Sequence, residues 1–104
     1  MVTLSVVYPR RDGATFDFDH YEKVHLPLVT AKLGSQLVGS AYALRGMAAA
    51  GGGEAPYFAL AFLNFSSADA LKTALGSPEA AEVLADIPNF TNVEPIIQAN
   101  EKIG

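Results

Sequence analysis

Nine consecutive residues, Tyr57-Phe58-Ala59-Leu60-Ala61-Phe62-Leu63-Asn64-Phe65, limit what this chain can fold into more than any other stretch. They are aromatic and aliphatic, bounded by Pro56 and by Ser66-Ser67, and they predict a strand. Side chains alternate across a strand, so Phe58, Leu60, Phe62 and Asn64 share one face while Tyr57, Ala59, Ala61, Leu63 and Phe65 share the other. Both faces are largely apolar. A face open to water would carry polar residues at every second position, so both sides of this strand need cover.

The flanking segments supply part of that cover. Residues 2–8 alternate as another strand, with Val2, Leu4, Val6 and Tyr8 on one side. Residues 37–45 predict a third, weakened by Gly39-Ser40, and residues 91–102 a last one, with Pro95 near its start where an edge or bulge tolerates it. A helical stretch begins at Asp17. A second opens with Ser66 as N-cap and Asp69 three residues on, restarts at Ser77-Pro78-Glu79, and ends at Asp86-Ile87-Pro88-Asn89. Residues 46–56, with three successive glycines but no phosphate-binding spacing, read as a mobile hairpin loop or flap. The order β-α-β-β-α-β predicts an α+β, ferredoxin-like fold: a four-stranded antiparallel sheet with two helices on one face. The other face is left bare, so the apolar pattern predicts a homodimer through the open sheet face.

Length and charge narrow the rest. At 104 residues the chain suits a single domain spanning 1–104, burying roughly 65% of its unfolded surface. The net charge of −4, with no cluster of Lys or Arg, argues against nucleic acid as a partner. No apolar run reaches the ~20 residues of a membrane span, and no basic-then-apolar leader opens the chain. With no cysteine for disulfides or thiolate metal sites, a cytoplasmic location is the expectation.

The first helix carries the chemistry. Asp17 is a natural N-cap, and Phe16 with Tyr21 stands where a hydrophobic staple forms. Phe18, Tyr21, His25, Leu26, Leu28, Val29 and Leu33 fall on one apolar arc. On a regular helix His20 lies ~140° from His25, which makes it a surface residue and rules out a shared metal site. Pro27 predicts a kink or break near Lys23, beside His25, and Gly34 a helix stop.

Phe16-Asp17, Tyr21 and His25-Leu26-Pro27-Leu28, together with Asp86-Ile87-Pro88-Asn89-Phe90-Thr91, resemble the EthD-like family of the dimeric α/β-barrel superfamily. The resemblance runs through nearly the whole chain. It implies a homodimer with sheets packed face to face, and a pocket between each sheet and its own helices. The family takes its name from an association with degradation of ethyl tert-butyl ether. Related members are implicated in decarboxylation or dehydration of aromatic polyketides, and the wider superfamily holds isomerases, cofactor-free oxygenases and some haem enzymes. A shared fold says little about reaction type.

His25 is the first candidate for a pocket acid or base, since an imidazole titrates near neutrality. The plain alternative is a half-buried histidine bonded to a backbone carbonyl. Asp86 and Asn89, at a chain reversal, are candidates to orient His25 or to bind a ligand oxygen, although both are common turn residues. Tyr21, Leu28 and Phe90 complete the expected ligand pocket. Two functions follow from this. One is a cofactor-independent lyase or isomerase moving a proton on a hydrophobic or aromatic small molecule. The other is a non-catalytic carrier or accessory protein for such a molecule. Haem ligation by His25 is a third and weaker reading.

Overall fold

The computed structural model describes residues 1–104. Four strands, β1 (Val2–Pro9), β2 (Tyr42–Arg45), β3 (Tyr57–Phe65) and β4 (Ile96–Glu101), form one antiparallel sheet in the order β2-β3-β1-β4. The two most apolar strands are thus central, with Leu4 opposite Leu63 and Val6 opposite Ala61. The helices cover one face only. The α+β ferredoxin-like arrangement expected from the sequence is the one observed.

The first helix spans residues 18–33 in three parts: α-helical Phe18–His20, a π-helical turn Tyr21–His25, and α-helical Leu26–Leu33. Asp17 caps it, its carboxylate accepting from the His20 N–H at 3.1 Å. Such a cap contributes about 1 kcal/mol. The rings of Phe16 and Tyr21 meet edge to face at 5.1 Å, completing the staple. Pro27 does not break the helix, which runs on without interruption. A proline ring cannot fit beneath the carbonyl four residues back, and here the preceding turn widens: the Leu26 N–H bonds to Tyr21, five residues earlier.

The second helical region is Ala68–Leu75 followed by Pro78–Asp86. Ser67, rather than Ser66, is the first N-cap, accepting from the Ala70 N–H at 3.1 Å. Ser77 caps the second piece, with Pro78 in its first turn. Lys32 and Glu82, 3.1 Å apart, tie the two helical regions together at the surface. Two boundaries differ from the sequence reading. β2 is only four residues long, because a 3-10 turn at Gly34–Gln36 and the left-handed Gly39 (φ 73°) take the chain around a bend first. Gly34 does stop the α-helix, as its C-cap after Leu33, but with right-handed angles. β4 begins at Ile96, after Pro95.

The faces of β3 sort as the alternation requires from Ala59 onward; Phe58, expected beside Leu60, instead joins Tyr8, Tyr21 and Phe90 on the helix side, where the pairing with β1 shifts register between Tyr8 and Pro9. Ala61, Leu63 and Phe65 are buried beneath the helices, against Leu4, Val29, Leu33 and Val83, and Ala59 is buried beside Tyr8 and Tyr21. Leu60 and Phe62 lie on the open face, beside Leu44, Tyr42, Val7 and, across β1, Ile96. An aromatic cluster of Tyr8, Phe16, Tyr21, Phe58 and Phe90 closes one end of the core.

Candidate functional site

The π turn sets the site. In a π-helical segment residues five apart stand nearly one above the other, whereas in an α-helix they diverge. His20 and His25 are five apart. Both reach the same carboxylate: His20 Nε2 lies 3.0 and 3.2 Å from the two oxygens of Asp86, and His25 Nδ1 lies 2.9 Å from Oδ2. The angular separation expected of a regular helix therefore does not hold, and His20 is a member of the site. Asn89, three residues beyond Asp86, donates its Nδ2 to Oδ1 at 3.0 Å. One carboxylate thus accepts from three side chains.

Exposure is graded along this chain of bonds, with side chains 5%, 11% and 25% exposed at His25, Asp86 and His20. Burial alone would raise the Asp86 pKa, but the bonds from Asn89, His25 and His20 outweigh it and hold the carboxyl below its ordinary value. His25 is lowered from 6.5, first because burial penalises the imidazolium. Its bond to Asp86 and that residue's charge offset this in part, and His20 adds to the lowering. At neutral pH the pair is therefore an ionised carboxylate and a neutral imidazole. The acceptor at Nδ1 fixes the tautomer: Nδ1–H donates to Asp86, and Nε2 keeps its lone pair.

His25 also lines a cavity of about 250 Å³ between the sheet and the helices. Of its 18 lining residues 17 are hydrophobic, among them Leu4 and Val6 of β1, Val29 of the first helix, and Val83, Leu84 and Ile87 beyond it; His25 is the exception. Tyr21 stacks on the imidazole at 5.6 Å, with 15° between the rings, and Phe90 packs on it at 4.7 Å. Tyr8, near the end of β1, and Tyr21 also line the cavity. Burial pushes the Tyr21 hydroxyl up to about 12, and Tyr8 is raised by burial and by the charges on Tyr21 and Asp86, so both stay protonated. The Tyr21 hydroxyl is buried with no hydrogen-bond partner. His20 and His25 both bond to Asp86, and no group of three His, Asp or Glu side chains is disposed to hold a metal ion.

Of the residues singled out in the sequence, His25 and Tyr21 reach the cavity wall and Asp86 stands directly behind His25. Leu28, Asn89 and Phe90 are not on the wall. Leu28 packs against the core instead, and Phe90 and Asn89 support the imidazole and its carboxylate from outside. Two residues were missed. His20 is misplaced by any regular-helix projection, and Tyr8 looked like one more apolar position of β1. Its place at the end of an otherwise aliphatic face was the only available signal.

Residues 13–94 match the EthD domain. Among solved structures, an EthD-like protein from Ralstonia eutropha JMP134 is 33% identical with a TM-score of 0.83, the match covering 96% of this chain and 89% of that one. An ethyl tert-butyl ether D (EthD) family protein from Bacillus halodurans C-125 is 22% identical with a TM-score of 0.79, covering 99% of each chain. A dimeric protein of ferredoxin-like fold and unknown function from Bacteroides fragilis NCTC 9343 is 12% identical with a TM-score of 0.61, covering 97% of this chain and 95% of its own. The last two comparisons carry the fold alone. No curated protein sequence matches the chain. No helix is long and apolar enough to cross a membrane.

Proposed function

This chain belongs to the EthD family, and from that premise we propose that it is a small cofactor-independent enzyme of lyase or isomerase type. Its neutral His25 moves a proton on a hydrophobic or aromatic small molecule held in the cavity. Family and fold by themselves support only an enzyme-like or ligand-binding domain. The observation that carries the finer reading is the isolation of one imidazole in an apolar cavity, its Nδ1 held by an ionised carboxylate. A histidine serving only as a packing group has no need of a carboxylate that three side chains hold in place.

In this reading Nε2 accepts a proton from the ligand, and the imidazolium formed is stabilised by Asp86 across the 2.9 Å bond. The proton then returns to a different atom of the same ligand, or to a leaving fragment. The apolar walls exclude water from the reactive intermediate. A cavity of ~150 Å³ admits benzene, so one of about 250 Å³ suits a one- or two-ring compound.

The active form is proposed to be a homodimer. Tyr42, Leu44 and Ile96 are more than half exposed on the open sheet face, and a dimeric ferredoxin-like neighbour supports cover by a second copy. The test of function is proton exchange. Phenylacetone incubated with the protein in deuterated buffer is expected to gain deuterium at its benzylic carbon faster than in buffer alone. A folded His25→Asn variant is expected to lose at least ~100-fold of that rate. Undiminished exchange in the variant contradicts the acid–base role and favours the carrier reading.

A further inference from the structure

Three residues of the cavity wall belong to the outer surface as well. Wall residues deep in the core, such as Leu4, Val29 and Leu33, are at most 6% exposed, so the cavity side of a residue contributes little accessible area. Leu75, Leu84 and Ile97 line the same cavity yet are 44%, 45% and 40% exposed. Nearly all of that exposure therefore faces bulk solvent, and these residues stand where the cavity meets it. Tyr42, also exposed and on the wall, is different. Its ring lies against Phe62 at 5.3 Å on the open sheet face, which accounts for its exposure.

Leu84 and Ile97 come from separate elements. Leu84 lies on the helix Pro78–Asp86, two residues before the carboxylate that holds His25, and Ile97 lies on β4, an edge strand paired only to β1. Both, with Ile87, also wall a recess on the surface that is completed by Thr91, Asn92 and Glu94. The recess is a vestibule, not a second site. Its Thr91 hydroxyl donates to the Thr15 carbonyl at 2.7 Å, and the Asn92 side chain bonds to the Thr15 N–H and the Gly13 carbonyl at 2.8 and 3.0 Å. Glu94 is open to solvent. Side chains alternate along β4, so Ile97 is turned away from the open face that carries Ile96, and a second copy on that face leaves the opening clear.

We infer that ligands enter and leave the cavity between the helix Pro78–Asp86 and β4, with Leu84 and Ile97 as the lips and Leu75 beside them, and that the gap between these side chains selects ligands by width. The inference rests on the cavity being the ligand site, as proposed above, and adds the route and the residues that control it. An aliphatic rim lets an apolar compound shed its water before it reaches the core. Exposed side chains change rotamer quickly, so the gap can widen and narrow while the fold stays closed.

Benzene is the probe, because it fits a cavity of this size and has no acidic proton for His25 to move. Its entry and release rates are measured by NMR exchange in purified wild type, Leu84→Trp, Ile97→Trp and Ile97→Ala. A group that narrows the route raises one barrier in both directions. Tryptophan at either lip is expected to slow entry and release together by at least about tenfold, with Kd changed less than about threefold. Ile97→Ala is expected to speed both, and it decides alone if neither tryptophan variant folds. The inference is overturned if the substitutions leave the rates unchanged, if affinity changes at a constant entry rate, or if wild type takes up no benzene. Wild type that still exchanges protons of phenylacetone in any of those cases keeps the enzyme reading without this route. Benzene that is gated as expected, with no proton exchange on phenylacetone, refutes the enzyme reading and leaves the route intact.

Discussion

Replacing Asp86 by Asn isolates the group on which the site depends. The carboxylate accepts from His25, His20 and Asn89, and the bond from His25 Nδ1 at 2.9 Å is the most buried of the three. A hydrogen bond to a charged acceptor contributes ~1.5–3 kcal/mol, whereas the more exposed partners contribute little. The amide of Asn keeps one acceptor oxygen but cannot serve both imidazoles in the same tautomers. The net loss is therefore about 2 kcal/mol. For a domain of this length that lowers Tm by roughly 8–16 °C at fixed protein concentration. The same change removes both influences of Asp86 that raise the His25 pKa and leaves its burial in place, so the imidazole should titrate still lower. Thermal and urea unfolding at neutral pH give the first quantity, and the His25 ring resonances followed against pH give the second. A loss below about 0.5 kcal/mol, or a His25 pKa that stays or rises in the variant, would refute the assignment of Asp86 as its partner.

Two further outcomes follow from the same geometry. Stability should fall with acid in two stages. His25 is lowered from 6.5, so below that pH the unfolded chain binds a proton that the folded chain refuses, and stability drops through the window down to the folded value. Asp86, held below 3.8, stabilises the fold above that value and ceases to as pH falls through its folded pKa. Urea unfolding across this range should show the first drop in wild type but not in His25→Asn. Phe62→Asp, on the open sheet face, should give a folded monomer in light scattering, and wild type should give a dimer. A wild type already monomeric at micromolar concentration would contradict the dimer.

Most of the framework could be read from local chemistry. Asp17, Ser77-Pro78 and the alternation of Tyr57–Phe65 each act through neighbours in sequence, so their effects were visible there. The expectation of His20 at the surface failed where the outcome depends on something not local. Pro27 signalled a disturbed turn, but that the turn would widen into a π segment and carry His20 onto Asp86 depends on what packs around it. β3 announced two apolar faces without saying which would meet the helices; Ala61 and Leu63 do, and Leu60 and Phe62 lie on the open face. The family resemblance implies a pocket between sheet and helices, but no residue pattern marks this cavity's size or walls. It is the space that Leu4, Val29 and Val83 leave unfilled, and alternation alone does not report volume.

The central claim is a single protonation state: His25 neutral at pH 7, hydrogen on Nδ1 toward Asp86, lone pair on Nε2 toward the cavity. Long-range proton–nitrogen correlation spectra of the imidazole distinguish the two neutral tautomers and the imidazolium directly. The geometry predicts a protonated Nδ1 and a bare Nε2 at pH 7. Observation of hydrogen on Nε2, in either the other neutral tautomer or a persistent imidazolium, would contradict it.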